Sequence, residues 1–178
     1  MKKYKFYNAM LIIFILLIIP SVLAAQLQPK FKLGGGVALW DPPGESNFAP
    51  IFEVWGEYYL SYLFSARGTG AYSFWGEDSI DYTHRRVTVD ALFHPYIRDE
   101  INLGLGGGLG FYQTQTSIEN DQDDGTLGLQ GLGTFAYQPA SAVLLELNVR
   151  AILPDINESS EITWQVGGGL VGEIEFGN

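Results

Sequence analysis

The stretch AVLLELNVRAIL, residues 142–153, alternates apolar and polar side chains. One parity is apolar and comprises Val143, Leu145, Leu147 and Val149. The other is polar and comprises Glu146, Asn148 and Arg150. Because successive side chains of a strand point to opposite faces, the segment predicts a strand with one apolar and one charged face. A soluble barrel turns the apolar face inward and a membrane barrel turns it outward, so the fold depends on the rest of the chain.

The first residues have the three parts of a secretory signal peptide. Three lysines lie within residues 1–5, residues 10–19 are apolar, and small residues follow around Ala24. This order predicts a signal peptide over residues 1–24 and a mature domain over 25–178. The alternative is a transmembrane anchor, for which the uncharged run is only marginally long, since a spanning helix needs about twenty apolar residues.

Composition narrows the class of the mature domain. Without the three signal lysines, seven Lys and Arg remain against 20 Asp and Glu, a net charge of −13. Such an acidic chain does not suit nucleic-acid binding, which needs a basic surface. The absence of Cys excludes disulfides and thiolate metal sites. The abundant Gly and aromatic residues, without an amphipathic helical pattern, indicate an all-β domain.

Eight segments repeat a strand pattern followed by a turn signal. They are residues 30–40, 50–60, 64–75, 82–94, 101–115, 126–138, 142–153 and 162–176. Short connections, at 61–63, 95–100 and 139–141, alternate with longer ones at 41–49, 76–81, 116–125 and 154–161. The longer four contain twelve Asp or Glu and no Lys or Arg. This arrangement predicts an eight-stranded antiparallel up-and-down transmembrane β-barrel, with acidic loops at one end.

The alternation within the strands indicates which face meets lipid. The apolar face carries no charge across its middle, and the opposite face combines small residues with Arg and Glu. A lipid-facing Arg or Lys at the midplane costs about 2–4 kcal/mol, so this face suits the outside of a membrane barrel. Aromatic residues near the strand ends fit interfacial girdles. A soluble lipocalin-like carrier, with the apolar face inside, is the alternative fold.

The mature chain resembles the small eight-stranded outer-membrane β-barrels of Gram-negative bacteria, the OmpA/OmpX/OmpW-like group. Segments that carry the resemblance are FKLGGGVALW, LGLGGGLGFY, LLELNVRAI and VGGGLVGEIEF. Members usually end on an aromatic residue that the barrel assembly machinery reads. Here Ile174 and Phe176 resemble that signal displaced by two residues, since the chain ends at Gly177 and Asn178.

Charged residues on the inward parity predict an ion-pair network that fills the lumen, because buried charges need partners. Its members are Lys32, Glu53, Glu57, Arg67, Arg86, Asp90, Glu146, Arg150, Glu173 and Glu175. A hairpin centred on 76–81 would set Arg67 opposite Asp90 and Ser73 opposite His84. The alternative is a narrow polar conduit, for which inward glycines could leave room, although they could equally receive arginine side chains.

Other candidate sites are weaker. Ser73 and His84 could approach each other, but both would point into the lumen, and no lipase-like elbow surrounds a serine. Two isolated histidines do not make a zinc site. An acidic loop could hold a divalent cation through Glu119, Asp121, Asp123 and Asp124, although the EF-hand spacing fails. No catalytic residue, metal or cofactor is therefore predicted.

These sequence patterns predict the cellular location of the protein better than its biological function. We expect a monomeric, non-enzymatic protein of the cell outer membrane, with a role in envelope integrity or in surface interaction through its acidic loops. The expected partners are outer-membrane lipid, lipopolysaccharide and the barrel assembly machinery, and no nucleic acid. A narrow channel for small solutes is the main alternative, followed by a lipid-modifying enzyme.

Overall fold

The computed structural model describes residues 30–42, 48–77, 80–98, 100–117, 125–140, 143–156 and 162–175. All regular structure in these ranges is β-strand. The strands are β1 (Lys30–Trp40), β2 (Ala49–Tyr59), β3 (Phe64–Glu77), β4 (Ile80–Arg98), β5 (Ile101–Thr116), β6 (Thr126–Ala140), β7 (Val143–Leu153) and β8 (Thr163–Glu175). Within the described part of the chain, no helix is long and apolar enough to cross a membrane.

The eight strands form one closed barrel in sequence order. Every strand pairs antiparallel with its neighbours, and β1 closes the barrel on β8 through a register that includes Lys32 opposite Glu173. The register predicted between β3 and β4 is confirmed, since Arg67 lies opposite Asp90 and Ser73 opposite His84. Closure leaves the sheet without a free edge.

The outward face is apolar, which confirms the predicted transmembrane barrel architecture. Val54, Val89 and Leu170 lie on this face and are 65%, 65% and 62% exposed. Outward aromatic residues occupy both ends of the strands, with Phe52 stacked on Phe74 at a centroid distance of 6.4 Å toward one end. In water such a surface would be an aggregation liability, whereas in a bilayer it is a lipid belt with interfacial girdles. The interior is charged, which is the reverse of a lipocalin-like carrier.

One predicted connection was wrong. The longer loop predicted at 76–81 is mostly strand, because β3 continues to Glu77 and β4 begins at Ile80, leaving only 78–79 between them. Trp75 stacks on its cross-strand neighbour Tyr82, with ring centroids 5.1 Å apart and nearly parallel planes. Such aromatic pairs stabilise an antiparallel ladder, so the strands extend through acidic residues that the composition alone had assigned to a loop.

The connection predicted at 95–100 is also shorter than expected. Strand β4 runs to Arg98 through a register shift between Phe93 and Tyr96. Pro95 lies within this shift, where its missing N–H does not interrupt a regular ladder. The barrel therefore has a short-turn end, with the connections 60–63, 99–100 and 141–142. At the opposite end, which we call the long-loop end, the connections 41–48, 117–125 and 154–162 are longer and 78–79 alone is short.

Candidate functional site in the lumen

The inward charges are almost completely shielded from solvent. Eight of the predicted lumen residues are at most 5% exposed: Lys32, Glu53, Glu57, Arg67, Arg86, Asp90, Glu146 and Arg150. Glu173 lies at the short-turn end with 29% of its side chain exposed. Glu175 ends β8 there, and its backbone pairs with Lys30. Seven of the eight buried side chains form two clusters, and Lys32 lies apart from both at the short-turn end. We call Glu57, Arg67 and Glu146 the lower cluster, and Glu53, Arg86, Asp90 and Arg150 the upper cluster.

The lower cluster is centred on Arg67. Its Nε donates to Glu57 Oε2 at 2.9 Å, and its Nη1 donates to Glu146 Oε1 at 2.7 Å. Its Nη2 is shared between the two carboxylates, at 2.5 Å from Glu57 and 2.7 Å from Glu146. The guanidinium also lies over the ring of Trp55, 5.6 Å from the centroid. Glu146 is thus bidentate, whereas Glu57 accepts both of its bonds at Oε2. Paired carboxylates and an aromatic face are contacts that satisfy a buried arginine well.

The upper cluster contains two arginines and two carboxylates. Arg86 Nη2 forms a short ion pair with Glu53, and Arg150 Nη1 donates to Asp90 Oδ2 at 3.3 Å. Asp90 also accepts a hydrogen bond of 2.6 Å from Gln130. Although Arg67 and Asp90 are cross-strand neighbours, no hydrogen bond between their side chains is present among the described contacts. Each finds its partner elsewhere in the lumen, and the four charges of the upper cluster balance.

A chain of contacts joins the lower cluster to the short-turn end. Ser65 Oγ donates to Glu57 Oε1 at 2.8 Å and also lies 2.8 Å from Nε2 of His94. The other ring nitrogen, Nδ1 of His94, lies 2.9 Å from Oδ1 of Asn102. Asn102 Nδ2 donates to the hydroxyl of Tyr59 at 2.9 Å. Charge and hydrogen bonding therefore extend without a break from the middle of the lumen to its mouth.

The last contacts of this chain fix a lysine at the mouth. Lys32 Nζ donates to the hydroxyl of Tyr59 at 3.0 Å and lies 3.2 Å from Oε1 of Glu173. The ammonium group also lies over the ring of Tyr59, 4.9 Å from its centroid. His94 stacks on the same tyrosine, with ring centroids 4.9 Å apart. Tyr59 is thus the shared partner of the lysine, the histidine and the amide. The sequence pattern did not single it out.

The serine and histidine selected from the sequence do not bond to each other. Ser73 Oγ donates to the carbonyl oxygen of Pro50 at 2.5 Å, and His84 Nδ1 lies 3.1 Å from the hydroxyl of Thr114. Nucleophilic catalysis needs these two groups within hydrogen-bonding reach. The register places their backbones opposite each other, but the pair lacks the geometry of a nucleophile and its base.

Ser65, His94 and Asn102 have the spacing of a nucleophile, a base and an orienting group. Their surroundings differ from those of a catalytic site, however. The hydroxyl proton of Ser65 is directed to the carboxylate of Glu57, and Ser65 and His94 are 1% and 2% exposed. A nucleophile needs room for a substrate beside it, whereas these groups are packed into the ion-pair network.

Aromatic rings occupy the space left by inward glycines. A β-carbon at Gly34 or Gly169 would overlap the ring of Trp55, and one at Gly110 would lie 2.7 Å from the ring of Tyr112. Two possibilities followed from the sequence for inward glycines: they could leave room for a conduit, or they could receive arginine side chains. Neither holds at these three positions. The rings fill them, and together with the ion pairs they occupy the barrel interior at the levels of Trp55 and Tyr112.

Some buried polar atoms have no hydrogen-bond partner within the described residues. They include Nε and Nη1 of Arg86, Nε of Arg150, Nε2 of His84 and both side-chain polar atoms of Gln165. These positions lie in the half of the lumen toward the long-loop end. Buried polar groups of this kind are commonly satisfied by internal water.

The remaining predicted sites fall partly outside the described ranges. The acidic-loop residues Glu119, Asp121, Asp123 and Asp124 lie there, as do Phe176 and the predicted signal peptide. Ile174 is on the outward face and 45% exposed. In the described part of the chain, no group of three or more His, Cys, Asp or Glu residues could hold a metal ion.

The fold is shared with solved outer-membrane proteins. The chain is similar to neisserial surface protein A (11% identity, TM-score 0.64, covering 84% of this chain and 98% of that one). It is also similar to the N-terminal β-barrel domain of OprF from Pseudomonas aeruginosa (11% identity, TM-score 0.61, 83% and 98% covered). A third similar structure is Ail, the attachment invasion locus protein of Yersinia pestis (14% identity, TM-score 0.56, 82% and 99% covered).

These likenesses establish the architecture. All three structures are small eight-stranded outer-membrane barrels, and this chain has the same fold. No family model matches the sequence, and no curated protein matches it.

Proposed function

We propose that this chain is a monomeric outer-membrane barrel without catalytic activity, which supports the envelope or mediates surface interactions. The observation that carries this proposal is the distribution of side chains: apolar residues face outward, whereas buried ion pairs and aromatic rings fill the interior. A barrel filled in this way has no space for a large solute, because eight strands enclose little more than their own side chains. The function would then depend on the exterior of the barrel and on its loops, rather than on the lumen.

The orientation follows from the lengths of the connections. In outer-membrane barrels short turns face the periplasm and longer loops face outward. The short-turn end of this chain carries both barrel termini, at Lys30 and Glu175, in keeping with delivery from the periplasm behind a signal peptide. The acidic loops, including 118–124, would then lie on the cell surface. Similarity to a neisserial surface protein and to an attachment invasion locus protein supports a surface role.

Lipopolysaccharide is the expected partner of the outer rim. Arg85 is exposed on the outward side of β4, opposite Tyr72 and Gln113 in the register. It lies two residues beyond Val87, which is 64% exposed and belongs to the apolar belt. An arginine just above the lipid-facing belt suits contact with a lipid phosphate, and divalent cations held by the acidic loops would bridge to further phosphates.

A deletion strain tests the envelope role. We expect the strain to become more sensitive to detergent, and the wild-type chain to restore resistance. A variant that replaces Glu119, Asp121, Asp123 and Asp124 by their amides should restore it less well. The charge-neutral change Gln122→Asn in the same loop is the matched control and should restore resistance fully. Unchanged detergent sensitivity after deletion would contradict the envelope role.

A narrow channel for small ions is the second candidate, favoured by buried donors on Arg86 and Arg150 that make no hydrogen bond within the described residues. Internal water around them would make the upper half of the lumen polar and hydrated. In planar bilayers, the closed-lumen proposal predicts no stepwise conductance from the wild-type chain. Regular single-channel steps would favour the channel instead.

A further inference from the structure

The short-turn end contains a cleft that the proposed function does not use. Two adjoining cavities, of about 340 and 230 Å³, lie at the mouth of the barrel. Both are lined by Lys30, Lys32, Ile97, Asn102 and Glu173. The larger one lies in the size range of small-molecule sites, about 300–1,000 Å³. We call this region the mouth cleft.

The mouth cleft concentrates positive charge in an acidic protein. Seven Lys and Arg follow residue 24, and three of them line the cleft: Lys30, Lys32 and Arg98. Three others, Arg67, Arg86 and Arg150, are buried in the lumen clusters, and Arg85 is on the outward face. Among the described residues, the acidic side chains that line the larger cavity are Glu100 and Glu173. Glu173 forms ion pairs with Lys30 at 3.9 Å and with Lys32 at 3.2 Å. The described lining of the larger cavity therefore carries three cations against two carboxylates, in a chain whose net charge is −10.

Two of the cations in the cleft are already held in place by other residues of the chain. The side chain of Lys32 is only 7% exposed, and Tyr59 and Glu173 hold its ammonium group. Arg98 lies over the ring of Tyr96, 5.4 Å from the centroid. Charged groups that are already oriented bind a ligand with less loss of conformational entropy. The cleft therefore has the character of a formed site.

The remaining lining indicates what kind of anion would fit. The amides of Asn102 and Gln138 and the apolar side chains of Ile97, Ile101 and Leu144 surround the cations. Amides pair with peptide groups, and apolar side chains pack against small aliphatic residues. Glu100 and Glu173 disfavour a dianionic phosphate but can accept hydrogen bonds from the N–H groups of a peptide.

We propose that the mouth cleft binds a short peptide through its free carboxylate, which lies among Lys30, Lys32 and Arg98. The inference rests on the proposed function, because the periplasmic orientation decides which peptides reach the cleft. Two sources share this chemistry: the peptide stems of the cell wall and the C-terminus of a periplasmic protein. The ligand stays at the mouth, since Arg67 and its two carboxylates close the lumen beyond it.

Isoleucine methyl groups report on this binding. The mature chain, folded in lipid nanodiscs with ¹³C-labelled isoleucine methyl groups, is titrated with two probes. One is the tetrapeptide stem of peptidoglycan, and the other is an all-L tetrapeptide of equal net charge with a free C-terminus. We expect saturable shifts at Ile97 and Ile101 and none at Ile51 and Ile152, which are buried toward the long-loop end.

The pattern of binding identifies the source. Saturation by the stem peptide alone supports a cell-wall ligand, and saturation by both probes supports recognition of any peptide carboxylate. Saturation by the all-L peptide alone supports a protein C-terminus. The absence of saturable shifts with both probes would overturn the proposal.

Charge variants test the role of the cations. Arg98→Gln and Lys30→Gln, which are both at least partly exposed and should fold, are each expected to weaken binding about tenfold, the effect of losing one charge-assisted contact. Arg85→Gln on the outward face is the matched control and should leave affinity unchanged. Equal affinity for wild type and Arg98→Gln would overturn the proposal.

The same samples are checked for heat-dependent migration on a gel. The absence of such a shift would overturn the proposed function itself rather than the cleft chemistry alone.

Discussion

Arg67 on β3 donates two hydrogen bonds of 2.7 Å to Glu146 on β7, on the opposite wall of the barrel. The two strands are four positions apart in a ring of eight, so the contact crosses the lumen. Glu57 on β2 binds the same guanidinium from the near side. One arginine therefore joins the adjacent strands β2 and β3 to β7 on the far wall. We regard this contact as the centre of the filled lumen.

Removing Arg67 should leave two carboxylates buried without their cation. We expect Arg67→Met to lower the free energy of unfolding by about 3–5 kcal/mol, the usual effect of breaking a buried ion pair from one side. Urea unfolding in lipid vesicles measures this. Arg85→Met on the exposed outer rim is the control, with an expected change within about 0.5 kcal/mol. Equal stability of the two variants would show that the lower cluster does not hold the barrel together.

Gly169 gives Trp55 its place in the lumen. A β-carbon at this position would overlap the backbone oxygen of Gly35 and lie 2.5 Å from the indole ring, so Gly169→Ala should destabilise the barrel by about 1–3 kcal/mol through overpacking. Gly68 provides the matched control, because no atom lies within 4 Å of an added β-carbon there. Unfolding midpoints in urea compare the two. If Gly68→Ala proves as harmful as Gly169→Ala, backbone conformation rather than ring packing is the cause.

Tyr59 connects the mouth to the interior through its hydroxyl. Tyr59→Phe leaves Asn102 Nδ2 without its acceptor and leaves Lys32 with Glu173 alone, so we expect a loss of about 1–3 kcal/mol in stability. Tyr58→Phe, on the adjacent outward position, removes the hydroxyl of a residue that is 43% exposed and should have little effect. Unfolding in vesicles again provides the measurement. The network would be energetically unimportant if both variants retained wild-type stability.

Val89 tests the lipid belt. It lies on the outward face of β4 and is 65% exposed, so Val89→Lys should cost about 2–4 kcal/mol if this position is near the bilayer midplane. Val89→Leu keeps the position apolar and is the control. The yield of folded protein in lipid vesicles compares them. Improved folding of Val89→Lys would mean that this face meets water.

The sequence was sufficient to predict the strands and their faces. Alternation with a period of two is a local signal, so segments such as 142–153 revealed which side chains point inward. The β3–β4 register was also predictable, because a hairpin determines which residues face each other. Arg67 opposite Asp90 is the clearest example.

The partners of the inward charges were predictable only where they are cross-strand neighbours. Glu57 lies opposite Arg67 in the β2–β3 register and bonds to it. The second partner of Arg67 is Glu146, which is 79 residues away, rather than its β4 neighbour Asp90. Which wall supplies the partner depends on the stagger of the strands around the barrel, and this is a property of closure rather than of a local pattern. The same limit applies to Ser65, His94 and Asn102, whose proximity has no signature in the sequence. The acidic composition of residues 76–81 also led to the prediction of a loop where β3 and β4 continue. The stacking of Trp75 on Tyr82 stabilises the strands there despite these acidic residues.

The central claim, a closed barrel whose apolar face meets lipid, is tested most directly by a gel of the outer-membrane fraction with and without boiling. A closed barrel resists the detergent at room temperature and migrates differently from its heated, unfolded chain. We predict that the protein is found in this fraction and that its band shifts on heating. A protein recovered in the soluble fraction, with one band position before and after heating, would contradict the account.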